Sequence, residues 1–254
     1  MSSVEPEVPD LAQPEPIGAP RPVYTYILLG SLIAVFIAQI IFGGGLTSAL
    51  VGDEFSALAA GFVKQYFVER HEYWRILTGA TIHGGIVHIL MNGYALLMFG
   101  RLFEMLASRA HMAIVFLLSC ICGGLLSLYF LPDGVSVGAS GGIVGLLGYI
   151  TVYAFRRRKF ISYEFRKSLV INIAFLFFFG LVLFNVVDNF GHLGGLIAGV
   201  VYGFIQIPSD EYVDPRAAST AAKYIGEASL LIFVAAGVLS IFLIASFKLV
   251  AFPG

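Results

Sequence analysis

Charged side chains are scarce in this chain of 254 residues. They make up 12% of the sequence, whereas 58% of the residues are hydrophobic. A soluble domain carries roughly 25% charged residues, which it needs to cover a surface that faces water. With a mean hydropathy of +0.89, the composition predicts that lipid is the solvent for most of the chain.

The sequence also lacks the groups that mark several other classes of protein. Its net charge is -1, and no basic block suggests nucleic-acid binding. The two cysteines, Cys120 and Cys122, lie two positions apart in an apolar run. Such neighbours on a helix cannot easily form a disulfide, and two soft ligands are too few for a metal site, so we interpret them as packing residues. No cofactor is indicated.

The first 23 residues are rich in proline and acidic side chains, and Arg21 is their one basic residue. A secretory signal would begin with basic residues and a short apolar core. Here the apolar run comes later and is about 20 residues long, which predicts a retained membrane anchor after a disordered tail.

Seven stretches are apolar enough to cross a hydrocarbon core about 30 Å thick, and backbone groups in lipid require each to be a helix. The stretches are residues 24–43, 82–100, 111–131, 140–155, 168–185, 190–207 and 227–251. The predicted fold class is therefore an all-α, polytopic membrane protein.

The basic residues are distributed unevenly between the two sides of the membrane. If the N-terminus is inside, eleven of the fifteen lie on the inside and four on the outside. This bias predicts a cytoplasmic N-terminus and an outside C-terminus. We expect the membrane to be a cell or plasma membrane.

Two connections between the predicted spans stand out. The loop at 44–81 carries apolar residues that we expect to form one interfacial helical face, with Trp74 at headgroup depth. These apolar residues are Phe55, Leu58, Phe62, Val63, Tyr66 and Phe67. The second connection, LPDGVSVGASGG, is rich in glycine and runs directly into the fourth span. Irregular backbone at membrane depth must be buried in protein or line water, so this segment is a place to expect chemistry.

Polar residues occur in the second span, and such residues in lipid mark functional sites by default. His88 and Asn92 are four apart and share one helical face, while His83 precedes His88 by about one and a half turns. Hydrogen bonding between helices is an equally good interpretation of this pair. A metal site is a weaker one, because two histidines five apart lie on different faces of a helix.

Ser140 begins the fourth span and His192 lies near the start of the sixth. A serine beside glycine in a membrane helix is usually a packing residue. However, free N–H groups at a helix start can stabilise a developing oxyanion. Gly195, Gly199 and Gly203 recur every four residues on the His192 face, which favours a close helix crossing. Such a crossing can bring a base within reach of the serine hydroxyl, which is a weak nucleophile without one.

Together these motifs resemble those of the rhomboid intramembrane serine proteases. The matching segments are YWR at 73–75, HGGIVHILMN at 83–92, GASG at 138–141 and GHLGGLIAG at 191–199. The resemblance implies a tail at 1–23, a six-helix protease core at 24–207, a cytoplasmic linker at 208–225 and an additional C-terminal transmembrane helix at 226–254.

The resemblance implies a Ser-His dyad that hydrolyses peptide bonds in or near transmembrane segments of other proteins. Ser140 would attack the scissile carbonyl, and His192 would relay its proton to the leaving amine. The resemblance further implies oxyanion or substrate-binding roles for His88, Asn92 and Gly138, and supporting roles for His83, Trp74 and Arg75. The implied partners are transmembrane protein substrates and the lipid bilayer, without metal, cofactor or nucleic acid.

One position departs from the family pattern. Many members carry an aromatic residue four after the serine, where it stacks on the catalytic histidine, but this chain has Val144. We expect another residue, from the fifth span, to pack against His192. Asp188 lies four before His192 and is a candidate to orient it, although the family works without a third member.

Two other functions are compatible with a polytopic membrane protein. An inactive relative that binds membrane proteins would lack the serine or the histidine, and both are present here. A channel or transporter would carry charged residues within the spans or a repeated half; the sequence shows no repeated half and no charged residue in the first six spans.

Overall fold

A computed structural model describes residues 21–43, 45–52, 54–184 and 186–251, which are predominantly helical. The helices are α1 (Val23–Phe42), α2 (Gly45–Val51), α3 (Glu54–Ala60), α4 (Lys64–Glu69), α5 (Arg75–Thr78), α6 (Ile86–Leu106), α7 (Arg109–Phe130), α8 (Ser140–Arg156), α9 (Tyr163–Val182), α10 (Asn189–Gln206) and α11 (Thr220–Ala251). Two short strands, β1 (Phe62–Val63) and β2 (Val135–Ser136), pair antiparallel. The predicted disordered tail lies, up to residue 20, outside the described residues.

All seven predicted spans coincide with helices, so the prediction of an all-α, polytopic fold is confirmed. Among the described residues, five helices are long and apolar enough to cross a membrane: α1, α6, α7, α9 and α11. The remaining two, α8 and α10, have 17 and 18 residues and are rich in glycine, which lowers their hydropathy. Helix α8 is largely buried, whereas α10 buries its glycine face and leaves Ile197, Val201 and Phe204 exposed.

The close crossing predicted for the fourth and sixth spans is confirmed by the contact between α8 and α10. A Cβ on Gly199 would lie 1.9 Å from the carbonyl oxygen of Gly145. A Cβ on Gly195 would lie 2.1 Å from the carbonyl oxygen of Gly141. Only glycines allow two helix backbones to approach this closely, so the glycine face of α10 determines how α8 and α10 pack.

Helix α7 completes the centre by packing against both α8 and α10. A Cβ on Gly123 of α7 would lie 2.6 Å from the carbonyl oxygen of Gly191. On the other side, a Cβ on Gly145 would lie 1.9 Å from the hydroxyl oxygen of Ser119, which α7 carries. The first residues of α8 and α10 are therefore held against the same stretch of α7.

The seventh predicted span, at 227–251, is part of a longer helix. Helix α11 begins at Thr220, because the hydroxyl of Ser219 accepts a hydrogen bond from the N–H of Ala222 at 3.1 Å and caps the extra turns. The last six residues of the predicted linker at 208–225 are therefore helical. Helix α11 packs against α1 and α7, and Ser240 is hydrogen-bonded to Thr81 at 2.8 Å.

The loop between α1 and α6 does not form the single interfacial helical face that its apolar residues predict. Phe62 and Val63 form β1 and pair with Ser136 and Val135 of β2. Both are buried, with 2% and 7% of their surface exposed, so the prediction is wrong for these two residues. The strand pairing links this loop to the glycine-rich segment that leads to Ser140.

Candidate active site

Ser140 is the first residue of α8, directly after the N-cap residue Ala139. The first N–H groups of a helix have no partner within the helix, so they are available to a ligand at this position. Ser140 lines a cavity of about 50 Å³, together with Gly138, Gly141 and Gly191. Water can occupy such a space, since one molecule needs only about 10–15 Å³.

His192 is the fourth residue of α10 and is buried, with 7% of its surface exposed. Within the described residues, its Nδ1 atom has no hydrogen-bond partner. The residues beside the predicted dyad are in contact, because a Cβ on Gly141 would lie 3.4 Å from the carbonyl oxygen of Gly191. The fold therefore brings the starts of α8 and α10 together, with Ser140 on one and His192 on the other.

Gly138 lies against His88 and Asn92, so three of the predicted oxyanion or substrate-binding residues meet. A Cβ on Gly138 would lie 2.8 Å from Nε2 of His88 and 3.5 Å from Nδ2 of Asn92. Gly138 also has a φ of +116°, which side chains rarely allow. Glycine is therefore required here both by the backbone conformation and by the two polar side chains beside it.

The hydrogen bonding of His88 indicates which of its ring nitrogens carries the proton. The N–H of Gly84 donates to Nδ1 of His88 at 3.2 Å, so Nδ1 is an acceptor. A neutral imidazole with an accepting Nδ1 carries its hydrogen on Nε2. The Nε2–H of His88 and the amide of Asn92 are therefore two donors that face the segment between Gly138 and Ser140.

His83 does not belong to the second span, and the predicted helical spacing to His88 is wrong. Helix α6 begins at Ile86, after Gly85 with a φ of +121°. The break lets the rings of His83 and His88 approach edge to face, with centroids 5.1 Å apart. His83 is 1% exposed, and its Nδ1–H donates to the carbonyl of Thr81 at 3.2 Å.

The sequence interpretation missed Gln39, which holds the backbone of His83 from α1. Its Nε2 donates to the carbonyl of His83 at 2.9 Å, and its Oε1 accepts from the N–H of His83 at 3.0 Å. An amide in an otherwise apolar span is a signal that could have identified it. Both backbone polar groups of His83, its N–H and its carbonyl, are thus held by one side chain.

Arg75 and Trp74 lie in the loop between α1 and α6, and neither lines the cavity beside Ser140. Nη1 of Arg75 donates to the carbonyls of Leu58 at 3.1 Å and Gly61 at 2.9 Å. The guanidinium also pairs with Glu72 and lies 4.6 Å from the ring centroid of Trp74. With 5% of its surface exposed, Arg75 joins α3 to α5 and so stabilises the fold of this loop.

The carboxylate of Asp188, the candidate to orient His192, has other partners. Its Oδ1 accepts from the N–H of Gly191 at 2.8 Å, as the N-cap of α10. Its Oδ2 accepts from the hydroxyls of Ser127 and Ser136, the latter at 2.7 Å. The hydrogen bond between Asp188 and His192 is a backbone one, from the His192 N–H to the Asp188 carbonyl at 3.0 Å.

Comparison with known proteins is consistent with this arrangement. A family model described as a Rhomboid domain matches residues 70–209. "Rhomboid protease GluP" of Bacillus subtilis is 31% identical over 179 residues, which cover 70% of this chain and 34% of the relative. "RHOMBOID-like protein 6, mitochondrial" of Arabidopsis thaliana is 34% identical over 148 residues, which cover 55% of this chain and 46% of the relative.

Catalytic and inactive proteins both occur among the relatives. "Inactive rhomboid protein 1" of Papio anubis is 32% identical over 139 residues, which cover 54% of this chain and 16% of the relative. The chain thus spans less than half of the length of each of these three relatives. Because the Rhomboid domain model covers more than half of the chain, this integral membrane protein belongs to the rhomboid family.

Proposed function

We propose that the chain is an intramembrane serine endopeptidase that uses Ser140 as nucleophile and His192 as base. The observation that carries the proposal is the backbone contact between Gly141 and Gly195, which joins the starts of α8 and α10. Ser140 directly precedes one of these glycines, and His192 lies one helical turn before the other. A serine hydroxyl becomes an effective nucleophile only beside such a base.

In the proposed reaction, the Ser140 hydroxyl attacks a scissile carbonyl carbon while His192 accepts the hydroxyl proton. The oxygen of that carbonyl becomes an oxyanion, which the Nε2–H of His88, the amide of Asn92 and the Ser140 N–H stabilise. Collapse of the intermediate breaks the peptide C–N bond, and His192 donates its proton to the leaving amine. Water, activated by His192, then hydrolyses the ester on Ser140.

The proposed substrates are membrane proteins with a transmembrane segment that unwinds easily near the outer face. A stable helix hides its carbonyls from a nucleophile, because each is hydrogen-bonded within the helix. The proposal includes a cytoplasmic N-terminus, which follows from the distribution of basic residues. It also includes a cell or plasma membrane location.

The alternative is an inactive rhomboid-like module that binds membrane proteins, and one relative bears the name of an inactive rhomboid. The presence of both Ser140 and His192, at helix starts that contact each other, favours the protease. An inactive protein has no need of a serine beside a cavity that can hold water.

The test is cleavage of a single-span model substrate in liposomes, with products identified by mass spectrometry. Ser140→Ala and His192→Ala should each abolish cleavage, and the double variant should be no worse, because the two residues act as one unit. Ser168→Ala, on the exposed surface of α9, is the matched serine control and should cleave normally. Cleavage should also persist in EDTA. Substantial turnover by either single variant would remove the dyad, and inactivity of the unmodified chain would favour the binding module.

A further inference from the structure

We propose that Asp188 is a positioning residue that sets the geometry between Ser140 and His192. This inference rests on the proposed function, and it assigns Asp188 a different role from that of a third member of the catalytic group. Its carboxylate connects three parts of the fold: the start of α10, the strand β2 and the helix α7.

The donors to Asp188 come from positions far apart in the chain. Ser127 and Ser136 both donate to Oδ2, while the Gly191 N–H donates to Oδ1. An ionised carboxylate has about four lone-pair sites, so one side chain can accept these hydrogen bonds simultaneously. Ser127 is completely buried on α7, which makes it a fixed point for the other two groups.

Each of the other two connections leads directly to one member of the proposed dyad. Ser136 is four residues before Ser140, and Gly138 between them is held by its N–H, which donates to the carbonyl of Gly79 at 2.9 Å. On the other side, Gly191 is the residue before His192. A displacement of the Asp188 carboxylate would therefore affect the positions of both reacting side chains.

The same carboxylate acts electrostatically on a buried lysine, Lys64, which directly follows β1. Only 1% of the Lys64 surface is exposed, and its N–H donates to the carbonyl of Gly134 at 3.3 Å, which extends the pairing of the two strands. Burial lowers the pKa of the Lys64 ammonium, and the negative charge of Asp188 acts in the opposite direction. Asp188 thus supports the segment before Ser140 through charge as well as through hydrogen bonds.

A geometric role and a direct electrostatic role predict different behaviour of the asparagine variant. In Asp188→Asn, the amide oxygen can still accept from Gly191, and the amide NH₂ can donate to the serine hydroxyls. A positioning residue is therefore partly rescued by asparagine. A residue that acts through its negative charge on His192 is not, since asparagine and alanine both remove that charge.

The experiment measures kcat and KM for a single-span substrate in liposomes with Asp188→Ala, Asp188→Asn and Ser136→Ala. We expect Asp188→Ala to lower kcat about 10- to 100-fold with little change in KM, because a misplacement of about 1 Å costs up to about 100-fold. Asp188→Asn and Ser136→Ala should each lie between Asp188→Ala and the unmodified chain. Asp214→Ala, which removes an exposed carboxylate that pairs with Arg216, is the control and should be unaffected.

Hydrogen exchange provides a readout that does not depend on catalysis. In a Ser140→Ala background, Asp188→Ala should weaken the protection of residues 134–138 and 189–192, and leave α7 unchanged. If Asp188→Ala does not fold, Ser136→Ala retains the cap of α10 and the charge, and takes its place in both assays.

Full turnover by Asp188→Ala, or an asparagine variant as inactive as the alanine variant, would overturn the positioning role. If the unmodified chain cleaves no more than Ser140→Ala does, the proposed function fails instead. In that case hydrogen exchange decides the role of Asp188: unchanged protection of both segments overturns it, and weakened protection supports it.

Discussion

Replacing Gly195 with alanine should separate the two helices that carry Ser140 and His192. The new Cβ would lie 2.1 Å from the carbonyl oxygen of Gly141, whereas ordinary contact begins at 3.4 Å. The difference requires the atoms to move apart by 1.3 Å, taking 2.1 from 3.4. Neither atom is at the end of a flexible side chain, so the helix backbones themselves must shift.

This displacement acts directly at the proposed dyad, and we expect it to reduce turnover much more than it reduces stability. A misplacement of about 1 Å can reduce turnover about 100-fold. Overpacking typically costs about 1–3 kcal/mol of stability, which is a minor part of the roughly 5–15 kcal/mol that holds a native domain together. We therefore expect Gly195→Ala to fold and to lose about 100-fold in kcat.

Two further glycines make a graded series with Gly195. A Cβ on Gly203, also on α10, would meet the Cβ of Val152 at 3.1 Å, which small side-chain adjustments can accommodate. A Cβ on Gly30 of α1 has nothing within 4 Å, so Gly30→Ala is the control for the substitution itself. Alanine can even stabilise that exposed helix position by about 0.5–1 kcal/mol.

The assay combines kcat for a single-span substrate in liposomes with the unfolding midpoint in a mild detergent. The expected order of turnover is Gly30→Ala, then Gly203→Ala, then Gly195→Ala, with the last far below the others. Turnover by Gly195→Ala equal to that of Gly30→Ala would refute the reasoning that the α8–α10 contact sets the geometry of the dyad.

Three more predictions address the donors, the seventh helix and the topology. Asn92→Ala should raise the activation free energy of cleavage by up to about 3 kcal/mol. A normal rate with a lowered unfolding midpoint would instead assign Asn92 to hydrogen bonding between helices, which is worth about 0.6–2 kcal/mol of stability. Ser240→Ala removes the hydrogen bond to Thr81 and should lower the free energy of unfolding by about 1 kcal/mol, so an unchanged midpoint would contradict it. A reporter in the loop at 156–167 should face the cytoplasm, and one after Gly254, which lies outside the described residues, should face outside; the reverse labelling would overturn the predicted orientation.

Several features could be predicted from the sequence because they depend on neighbouring residues alone. The length and hydropathy of each span specify a helix in lipid wherever the segment lies in the fold. The spacing of Gly195, Gly199 and Gly203 likewise follows from the helical period, so their shared face and the close crossing with α8 were predictable. The division into tail, core, linker and additional helix stays a prediction. So does the packing of a residue from the fifth span against His192, in place of the aromatic residue that is absent at Val144.

Other features were decided only by the tertiary structure, because the partners are distant in the chain. Gln39 contacts His83 across 44 positions, and Asp188 contacts Ser127 across 61 and Ser136 across 52. Phe62 and Val63 look like part of an interfacial helix until their partner strand at 135–136 is known.

The sequence by itself determined that Ser140 and His192 lie near the starts of two helices, because hydrophobic length and helical period are local properties. The tertiary structure alone decided which polar groups meet there. In the fold, α6 begins only after Gly85, so His83 lies outside the helix. The Asp188 carboxylate accepts hydrogen bonds from two serines rather than from the His192 ring. The physical reason is that a buried polar group takes whichever partner the packing brings within reach, and no local pattern encodes that choice.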